Sequence, residues 1–441
     1  MKSDPRLIVG VDISKTQADL ALLHTDGQLL VMHQAFANSL VGFEQAKQLL
    51  LHTLAGQGLS GIDFAIEATS YYWLPLYIQL AQDPELAVYQ PRQALLNAGW
   101  VKWYKKSFSP DNKSDQSDPF YIAERLRTLP APLWWHYDPH WLALRLLTRL
   151  RFHLSQSLVR EKNHYQLFLF LAYSHYSQAK PFSDPFGVFS QWLLAHPDEL
   201  THLGTLPLEQ LAEQLTHLSP RPLHDPRATA ERLYCALHES YPLPEALDPT
   251  VHGMLQHLAT LIQTGQQQIQ AVETEIDQLL QAQDYPEVAW LDSIPGLGSV
   301  FAAGIAAEIA GLQRFATPPK WDKQRQRYRP RNARDIEDAV AKFAGLWWPR
   351  NASGQFEAEE RPLSKRGNAY LRYFTLLAAD RMRLFIPSYT RYYHTKFQQV
   401  TKHQHKRALV LTGRKALGLF VGLLLHQEMY RPEEVSSPSL A

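Results

Sequence analysis

The chain has 441 residues, too many for one ordinary hydrophobic core, so we expect two or three structural units. Apolar residues make up 45% and charged residues 20%, a balance that excludes wholesale disorder. The formal net charge of +1 excludes a global basic field, so nucleic-acid binding would have to come from local clusters. The single cysteine excludes an internal disulfide framework and a cysteine-rich zinc site. This composition suits the cytoplasm.

The chain ends give no sign of export or membrane insertion. The first residues, MKSDPRLIVGVD, do not form a signal peptide, because acid and proline precede a short apolar run. The apolar stretch 416–425 is too short to span a bilayer. We therefore expect a soluble protein with no membrane partner.

The region 1–140 has the element order of a ribonuclease H-like α/β domain. Asp26–Gly27 predicts a hairpin turn between the second and third strands. The apolar and alternating runs predict strands at 7–13, 17–24, 28–36, 62–68 and 86–90, with helices at 40–56 and 71–82. A meander of three strands followed by alternating helices and strands indicates this fold class.

The region 141–285 is predicted to be helical around two long apolar stripes. The first runs through Leu147, Leu150, Leu154, Leu158 and Tyr165. The second has coiled-coil spacing, at Leu255, Leu258, Ile262, Gly265, Ile269, Val272, Ile276 and Leu279. This periodicity fits an antiparallel arm or oligomerisation element, and equally a helical bundle within one subunit. The insertion 174–245 predicts short helices broken by loops.

The region 286–430 is predicted to be a third, mainly α-helical unit. The turn Ile294–Gly298 opens a small-residue helix at 299–310, and a basic stretch follows at 314–334. Three more helices are expected near 335–345, 365–385 and 404–428, before a frayed tail at 431–441.

Four acids are the strongest chemical signal. Asp12 and Glu67 end strands that are neighbours in a ribonuclease H-like sheet, so their carboxylates are expected to meet at one edge. Asp115 and Asp118 lie three residues apart and would share a face of a helical turn, with Pro119 in the first turn. Converging carboxylates repel unless cations bind, and oxygen ligands favour Mg²⁺ or Mn²⁺. Each acid alone has a simpler explanation, such as capping or solvation.

Basic residues occur in local clusters, which predict contact with phosphates although a solvated face is the simpler alternative. The first cluster has interleaved aromatic residues that can stack on bases, and it contains Trp100, Lys102, Trp103, Tyr104, Lys105, Lys106 and Lys113. The second contains Arg314, Lys320, Lys323, Arg325, Arg327, Arg329, Arg331 and Arg334. A third lies at 402–415.

A serine in the C-terminal region is a candidate nucleophile. Ser353 lies in a polar loop, and the cations Lys365, Arg366 and Arg372 follow it. A serine hydroxyl attacks only when it is positioned and the developing charge is stabilised, and nearby cations supply such stabilisation.

Several short motifs in the same order resemble those of the insertion sequence 110 transposases, the DEDD-type serine recombinases related to the Piv DNA invertase. The motifs are VGVDISK, the strand-terminal Glu67, KSDQSD, IPGLG, AGL with a following proline and SG, and SKRGNAYLR. They cover about 1–170 and 286–425.

The resemblance implies a RuvC-like domain in which Asp12, Glu67, Asp115 and Asp118 bind the metal. It also implies that Ser353 attacks DNA and forms a transient phosphoserine link. Members of the family work as tetramers with composite active sites, join donor and target DNA through a structured bridge RNA, and need no ATP. The resemblance therefore implies a homo-oligomer here, from dimer to tetramer.

The chain departs from the family pattern in its long insertion 174–245, in about twenty extra residues around 317–337, and in an extra tryptophan in GLWWP. The last departure leaves Ser364 as an alternative serine, although its position favours a helix N-cap. Other functions also stay open. A structure-specific nuclease would use the acids to activate water, and a non-catalytic nucleic-acid scaffold would not use them. An actin-like ATPase loop fits less well, because Ser14 replaces its glycine.

Overall fold

The computed structural model describes residues 5–67, 70–96, 98–108, 117–129, 134–135, 138–316, 319–322, 324–349, 352–353, 356–357 and 361–432. The chain divides into two compact units, one formed by 143–286 and the other by 1–142 together with 287–441. The predicted three-part division stays a prediction.

The N-terminal part contains a six-stranded mixed sheet in the order β3-β2-β1-β4-β5-β6. Strand β1 pairs antiparallel with β2 and parallel with β4, and β4 pairs parallel with β5. This arrangement is compatible with the predicted ribonuclease H-like domain. The elements are β1 Arg6–Ile13, β2 Gln17–His24, β3 Leu29–Ala37, α1 Leu40–Gly56, β4 Gly61–Glu67, α2 Trp73–Gln82, α3 Pro84–Ala87, β5 Arg92–Leu96, α4 Ala98–Phe108, α5 Asp118–Thr128 and β6 Trp134–Trp135.

Helices cover both faces of this sheet. On one face, Val9 and Val11 of β1 pack in a core with residues of α1 and α2, such as Phe43. On the other face, Ile8 of β1 packs in a second core with residues of α4 and α5, such as Ile122. Because side chains alternate along a strand, every even-numbered side chain of β1 points toward the α5 face.

The predicted strand at 86–90 is wrong. Pro84–Ala87 forms the short helix α3, and the strand begins only at Arg92. The carboxylate of Asp83 accepts hydrogen bonds from the backbone N–H groups of Glu85 and Leu86, and Pro84 occupies the first turn. A side-chain cap followed by proline therefore starts a helix here, although the apolar residues have high strand propensity.

Gly10 allows α5 to lie directly on β1. A Cβ atom at this position would lie 2.6 Å from the backbone nitrogen of Ala123 and closer still to the carbonyl oxygen of Pro119. No side chain fits in that space. The absence of a side chain at Gly10 therefore sets how closely the first turn of α5, which begins at Asp118, approaches the end of β1.

The unit 143–286 is built on two long antiparallel helices, α6 Pro139–Ala172 and α12 Asp248–Ala282. Arg151 pairs with Glu273 at 2.8 Å, and the Tyr173 hydroxyl lies 2.9 Å from His252 Nε2. The sequence numbers in these pairs sum to nearly the same value, as antiparallel pairing requires. The helices thus pair within one chain, and a coiled-coil supercoil between subunits stays a prediction.

The predicted stripe on α12 is buried or half-buried along its length, whereas the stripe on α6 is wrong at one position. Leu150 is 47% exposed, and Leu144 and Thr148 are buried instead. The insertion forms short helices as predicted, and their apolar residues pack with both long helices. These helices are α7 Tyr176–Ala179, α8 Val188–Leu194, α9 Pro197–Gly204, α10 Leu208–Leu218 and α11 Pro226–His238.

The C-terminal part is mainly α-helical, as predicted. Its elements are α13 Pro286–Asp292, α14 Ser299–Ile309, α15 Gln313–Ala316, β7 Lys320–Asp322, β8 Arg327–Arg329, α16 Ala333–Ala344, β9 Ala352–Ser353, β10 Phe356–Glu357, α17 Ala369–Phe385, α18 Pro387–Gln398 and α19 Gln404–His426. The sequence prediction missed the β7–β8 hairpin and α18. Pro387 occupies the first turn of α18, where a missing N–H costs nothing.

Helix α19 is longer than the apolar stretch 416–425 suggests, and by length and composition alone it is able to cross a membrane. Half of its most apolar window is buried inside the protein, where α16, α17 and α18 pack against it. Its first turns contain Lys406 and Arg407. These contacts are those of a core helix.

We predict that Gly10→Ala destabilises the N-terminal domain by about 3 kcal/mol, because α5 must move away from β1 to accommodate the new methyl group. Urea unfolding followed by circular dichroism measures the effect. Gly56→Ala is the matched control, since a Cβ atom there has no neighbour within 4 Å and alanine favours a helix. Equal stability of Gly10→Ala and wild type would contradict the close approach described above.

Candidate active site

Strand register brings two of the predicted acids together. Val11 of β1 is the Cα partner of Ile66 in the parallel strand β4, so the following residues, Asp12 and Glu67, lie side by side at the same edge of the sheet. Asp12 shares the α5 face with Ile8, and Glu67 shares it with Ala65. Both carboxylates therefore point to the face that α5 covers.

Asp118 completes a group of three acids. It is the first residue of α5, and Pro119 lies in the first turn as predicted. The close contact at Gly10 holds this end of α5 over β1. Lys105 of α4 forms an ion pair with the Asp118 carboxylate.

The acids influence one another electrostatically. Burial first, and then the negative charge of Asp118, raise the pKa of Asp12 above its ordinary value. Burial, followed by the charges of Asp12 and Asp118, raises the pKa of Glu67. Lys105 acts in the opposite direction on both groups. The group thus carries like charges that are partly withdrawn from water, which costs free energy in the charged state.

These residues have the donor chemistry for a divalent cation but do not form a closed metal site. Among the residues that the structure describes, no three acids, histidines or cysteines are grouped closely enough to hold a metal ion. Asp115, the fourth predicted acid, lies outside the described residues. Burial, and then the charges of the neighbouring acids, raise the pKa values of Asp12 and Glu67, and a bound cation would relieve the repulsion among these charges.

Asp19 is a further acid that the sequence prediction missed. It is the antiparallel Cα partner of Asp12, and its negative charge also raises the pKa of Asp12. His33 of β3 holds the Asp19 carboxylate, with 2.7 Å between Nε2 and Oδ1. Asp19 could have been predicted from the sequence, because a β1–β2 hairpin that turns at residues 14–16 places residues 12 and 19 opposite each other.

Asp63, which is also on β4, is an acid with a structural role. It is buried near the opposite end of β4, where Arg6 Nε and Arg92 Nε donate hydrogen bonds to it at 2.9 and 2.7 Å. Two arginines therefore compensate one carboxylate here. At the other end of the strand, Lys105 faces three acids.

Ser353 lies in a segment whose two ends are held together. The segment connects α16 to α17, and Ser353 itself is in β9, paired with Phe356 of β10. At its base, the backbone N–H of Ser364 donates to the carbonyl of Trp347 at 3.0 Å, and that of Asn368 donates to Phe343 at 2.6 Å.

Close backbone packing and one arginine hold this base. Gly345 ends α16 with φ 69°, and Gly367 has φ 147°; a side chain at Gly367 would collide with the end of α16. Arg372 Nη1 donates to the carbonyls of Ala344 and Lys365 at 3.0 and 3.1 Å. Arg372 therefore has a structural role, and its predicted contact with nucleic acid is unsupported.

The expectation that Ser364 is a helix N-cap is wrong. Asn368 caps α17, because its side chain accepts a hydrogen bond from the backbone N–H of Leu371 at 2.9 Å. The Ser364 hydroxyl instead accepts from the backbone N–H of Arg366 at 3.4 Å. This weak local bond fits a turn ahead of the helix.

The predicted nucleic-acid-binding cations have different environments. Those with exposed side chains are Lys102, Lys106, Arg325, Arg327, Lys365 and Arg366. Lys105 is paired with Asp118, Arg329 donates to Asp335 at 2.6 Å, and Arg331 is half-buried. Lys113 lies outside the described residues. The structure does not gather these cations into one described surface.

We predict that Asp12→Asn stabilises the metal-free protein at neutral pH. Because the folded state raises the pKa of Asp12, this group favours folding most at acid pH, and that contribution is lost as the pH rises through the folded pKa. A gain of about 1 kcal/mol raises the melting temperature by about 2–4 °C. Thermal melts in EDTA from pH 4 to 8 measure it.

The matched control is Asp63→Asn, which should instead lower the melting temperature because it removes the charge that two arginines share. A lower melting temperature for Asp12→Asn at pH 7, similar to that of Asp63→Asn, would contradict the repulsion among the acids.

Residues 9–173 match a family model that is described as a transposase, of the DEDD type of insertion sequence 110. The matched segment contains Asp12, Glu67, Asp115 and Asp118, and it ends well before Ser353. Comparison with curated proteins finds no match. Proteins of this family are DNA-processing enzymes of insertion sequences. The region that carries the acid group is therefore similar to the DEDD-type insertion sequence 110 transposases.

Proposed function

We propose that this protein is a transposase that cuts and rejoins donor and target DNA through a covalent phosphoserine intermediate, with divalent cations at the acid group and a bridge RNA as guide. One observation carries the proposal: Asp12, Glu67 and Asp118 converge at one sheet edge, where burial and then the charges of the neighbouring acids raise the pKa of Asp12 and Glu67. This is an unfavourable arrangement for a purely structural site, and it lies inside the segment that matches the transposase family.

The carboxylates are the proposed ligands of Mg²⁺ or Mn²⁺, with Asp115 as the fourth. When bound, such ions polarise a phosphodiester and stabilise charge on its oxygens. The residues themselves orient the site: β1 and β4 fix Asp12 and Glu67, and the close packing at Gly10 fixes Asp118. With a cation at the acid group, the Asp118 carboxylate would have a second positive partner, and Lys105 would be available to a DNA phosphate.

The proposed covalent step uses Ser353. Its Oγ forms a bond to phosphorus as one bond from phosphorus to a deoxyribose oxygen breaks, and the serine proton ends on the departing sugar hydroxyl. Attack by a second sugar hydroxyl then restores a phosphodiester and returns a proton to the serine. The number of phosphoester bonds is unchanged, so the reaction needs no ATP.

The arrangement of the C-terminal part supports a positioned serine. The base of the Ser353 segment is held by Arg372 and by the close packing of Gly345 and Gly367. Lys365 and Arg366 are exposed beside that base and are the cations we assign to phosphate binding, together with Lys102 and Lys106. A homotetramer, in which one subunit's acids act with another's serine, is part of the proposal.

A second function is favoured by the extent of the family match. The matched segment holds all four acids and excludes Ser353, which fits DNA cleavage by the acids alone. In that case water attacks the phosphodiester, the products have free ends, and Ser353 has no chemical role. The two functions differ in whether DNA ever becomes attached to the protein.

We predict that the full chain, incubated with its element-end DNA, its RNA and Mg²⁺, forms a protein–DNA adduct that survives denaturation. Denaturing gel electrophoresis with labelled DNA measures it. Ser353→Ala should abolish the adduct, because no other group would replace the Oγ. Asp12→Asn should reduce it at least about a hundredfold, because it weakens the site that would hold the cation stabilising transition-state charge.

Ser364→Ala is the matched control and should retain the adduct. Cleaved DNA with free ends and no adduct would reject the serine mechanism in favour of acid-only cleavage. Unchanged activity in Asp12→Asn would reject both mechanisms and leave a binding scaffold.

A further inference from the structure

Strands β7 and β8 form a small antiparallel hairpin within the basic stretch 314–334. Strand β7 pairs with β8 through the Cα partners Lys320↔Arg329, Trp321↔Tyr328 and Asp322↔Arg327. The Asp322 carboxylate accepts from the backbone N–H groups of Gln324 and Arg325 at 3.0 and 3.1 Å, which closes the turn.

The base of the hairpin is anchored to α16 by a buried acid. Asp335, 5% exposed, accepts hydrogen bonds from Lys320 Nζ and from Arg329 Nη1 at 2.5 and 2.6 Å. The same carboxylate accepts from the backbone N–H of Asn332 as part of a capping box. One cation from each strand is therefore used to hold the hairpin in place.

The outer part of the hairpin combines aromatic surface with unpaired positive charge. Trp321 and Tyr328 lie edge to face with ring centroids 5.0 Å apart, yet they are 42% and 70% exposed. Arg325 and Arg327 are exposed, and neither side chain forms an ion pair with any part of the chain that the structure describes. Among the described cations of the hairpin, Lys320 and Arg329 serve the anchor. Arg325 in the turn is exposed, and so is Arg327, on the face of β8 opposite Tyr328.

We propose that this hairpin binds unpaired nucleotides of a nucleic-acid strand, with a base stacking on Tyr328 and the adjacent Trp321 while Arg325 and Arg327 contact the phosphates. The inference rests on the proposed function, because it assigns part of the substrate to a surface outside the acid group. Aromatic faces beside cations are the chemistry that single strands require, since every base offers a face for stacking.

Unpaired strands fit this surface better than duplex does. In a duplex the base faces are covered by their neighbours, so an exposed ring such as Tyr328 gains no stacking partner. Arginines alone would serve duplex phosphates equally well, and they do not explain the exposed aromatic pair. A DNA strand opened during recombination and an unpaired loop of RNA have the same chemistry here.

The test measures binding of the full chain in EDTA, where no cleavage occurs, to labelled oligo(dT), oligo(rU) and blunt duplex of about 12 units, a length within the range of known single-strand sites. Tyr328→Leu keeps apolar bulk against Trp321 but lacks a π face. We expect it to weaken single-strand binding at least about tenfold and to leave duplex binding unchanged. The matched variant Tyr328→Phe should bind as wild type does.

The double variant Arg325→Gln/Arg327→Gln should make the salt dependence of single-strand binding shallower by about 1.4 in log–log slope, the value for two lost phosphate contacts. A loss confined to dT or to rU supports the proposal and identifies the strand as DNA or RNA. Wild-type affinity in Tyr328→Leu, an equal loss on duplex, or no single-strand binding by wild type would overturn it. This binding assay needs no catalysis. A failure to form the serine adduct would therefore not count against the single-strand proposal.

Discussion

Repulsion between carboxylates is the constraint on which the N-terminal half depends. The parallel register of β1 and β4 forces Asp12 and Glu67 together, and the start of α5 adds Asp118. A protein under selection for stability alone would separate or neutralise these groups, as it does at Asp63 with two arginines. The site keeps its charge density, and the surrounding apolar cores supply the free energy that holds it together.

Backbone proximity, more than side-chain contact, places the proposed functional groups of this chain. At Gly10 the lack of a side chain lets α5 approach β1. At Gly345 and Gly367 the lack of a side chain likewise lets the end of α16 pack against the residues that precede α17. Arg372 donates hydrogen bonds to a carbonyl on each side of this contact. The acid group and the Ser353 segment are thus both supported at points where only glycine fits, although they lie in different parts of the chain.

Charge in this protein is local and divided between two tasks. Several of its cations are committed to internal acids, such as Arg329 to Asp335 and Lys105 to Asp118, and these stabilise the fold or balance the acid group. Others, such as Arg327 and Lys365, remain exposed. A net charge near zero is therefore compatible with nucleic-acid contact, because the uncommitted cations are concentrated on particular elements.

The sequence by itself determined most of the sheet, the long helices and the pairing of Asp12 with Glu67, because these depend on periodicity of two or about four residues and on strand order. It did not determine the start of β5, where the Asp83 cap prevails over strand propensity, or the exposure of Leu150, which depends on the helix that packs beside it. Only the tertiary structure decided that Lys105, Arg329 and Arg372 have internal partners. The same is true of the position of Asp19 beside the acid group. The sequence does not distinguish a charged side chain that faces water from one that contacts a carbonyl or a carboxylate, because only the folded chain brings those partners within reach.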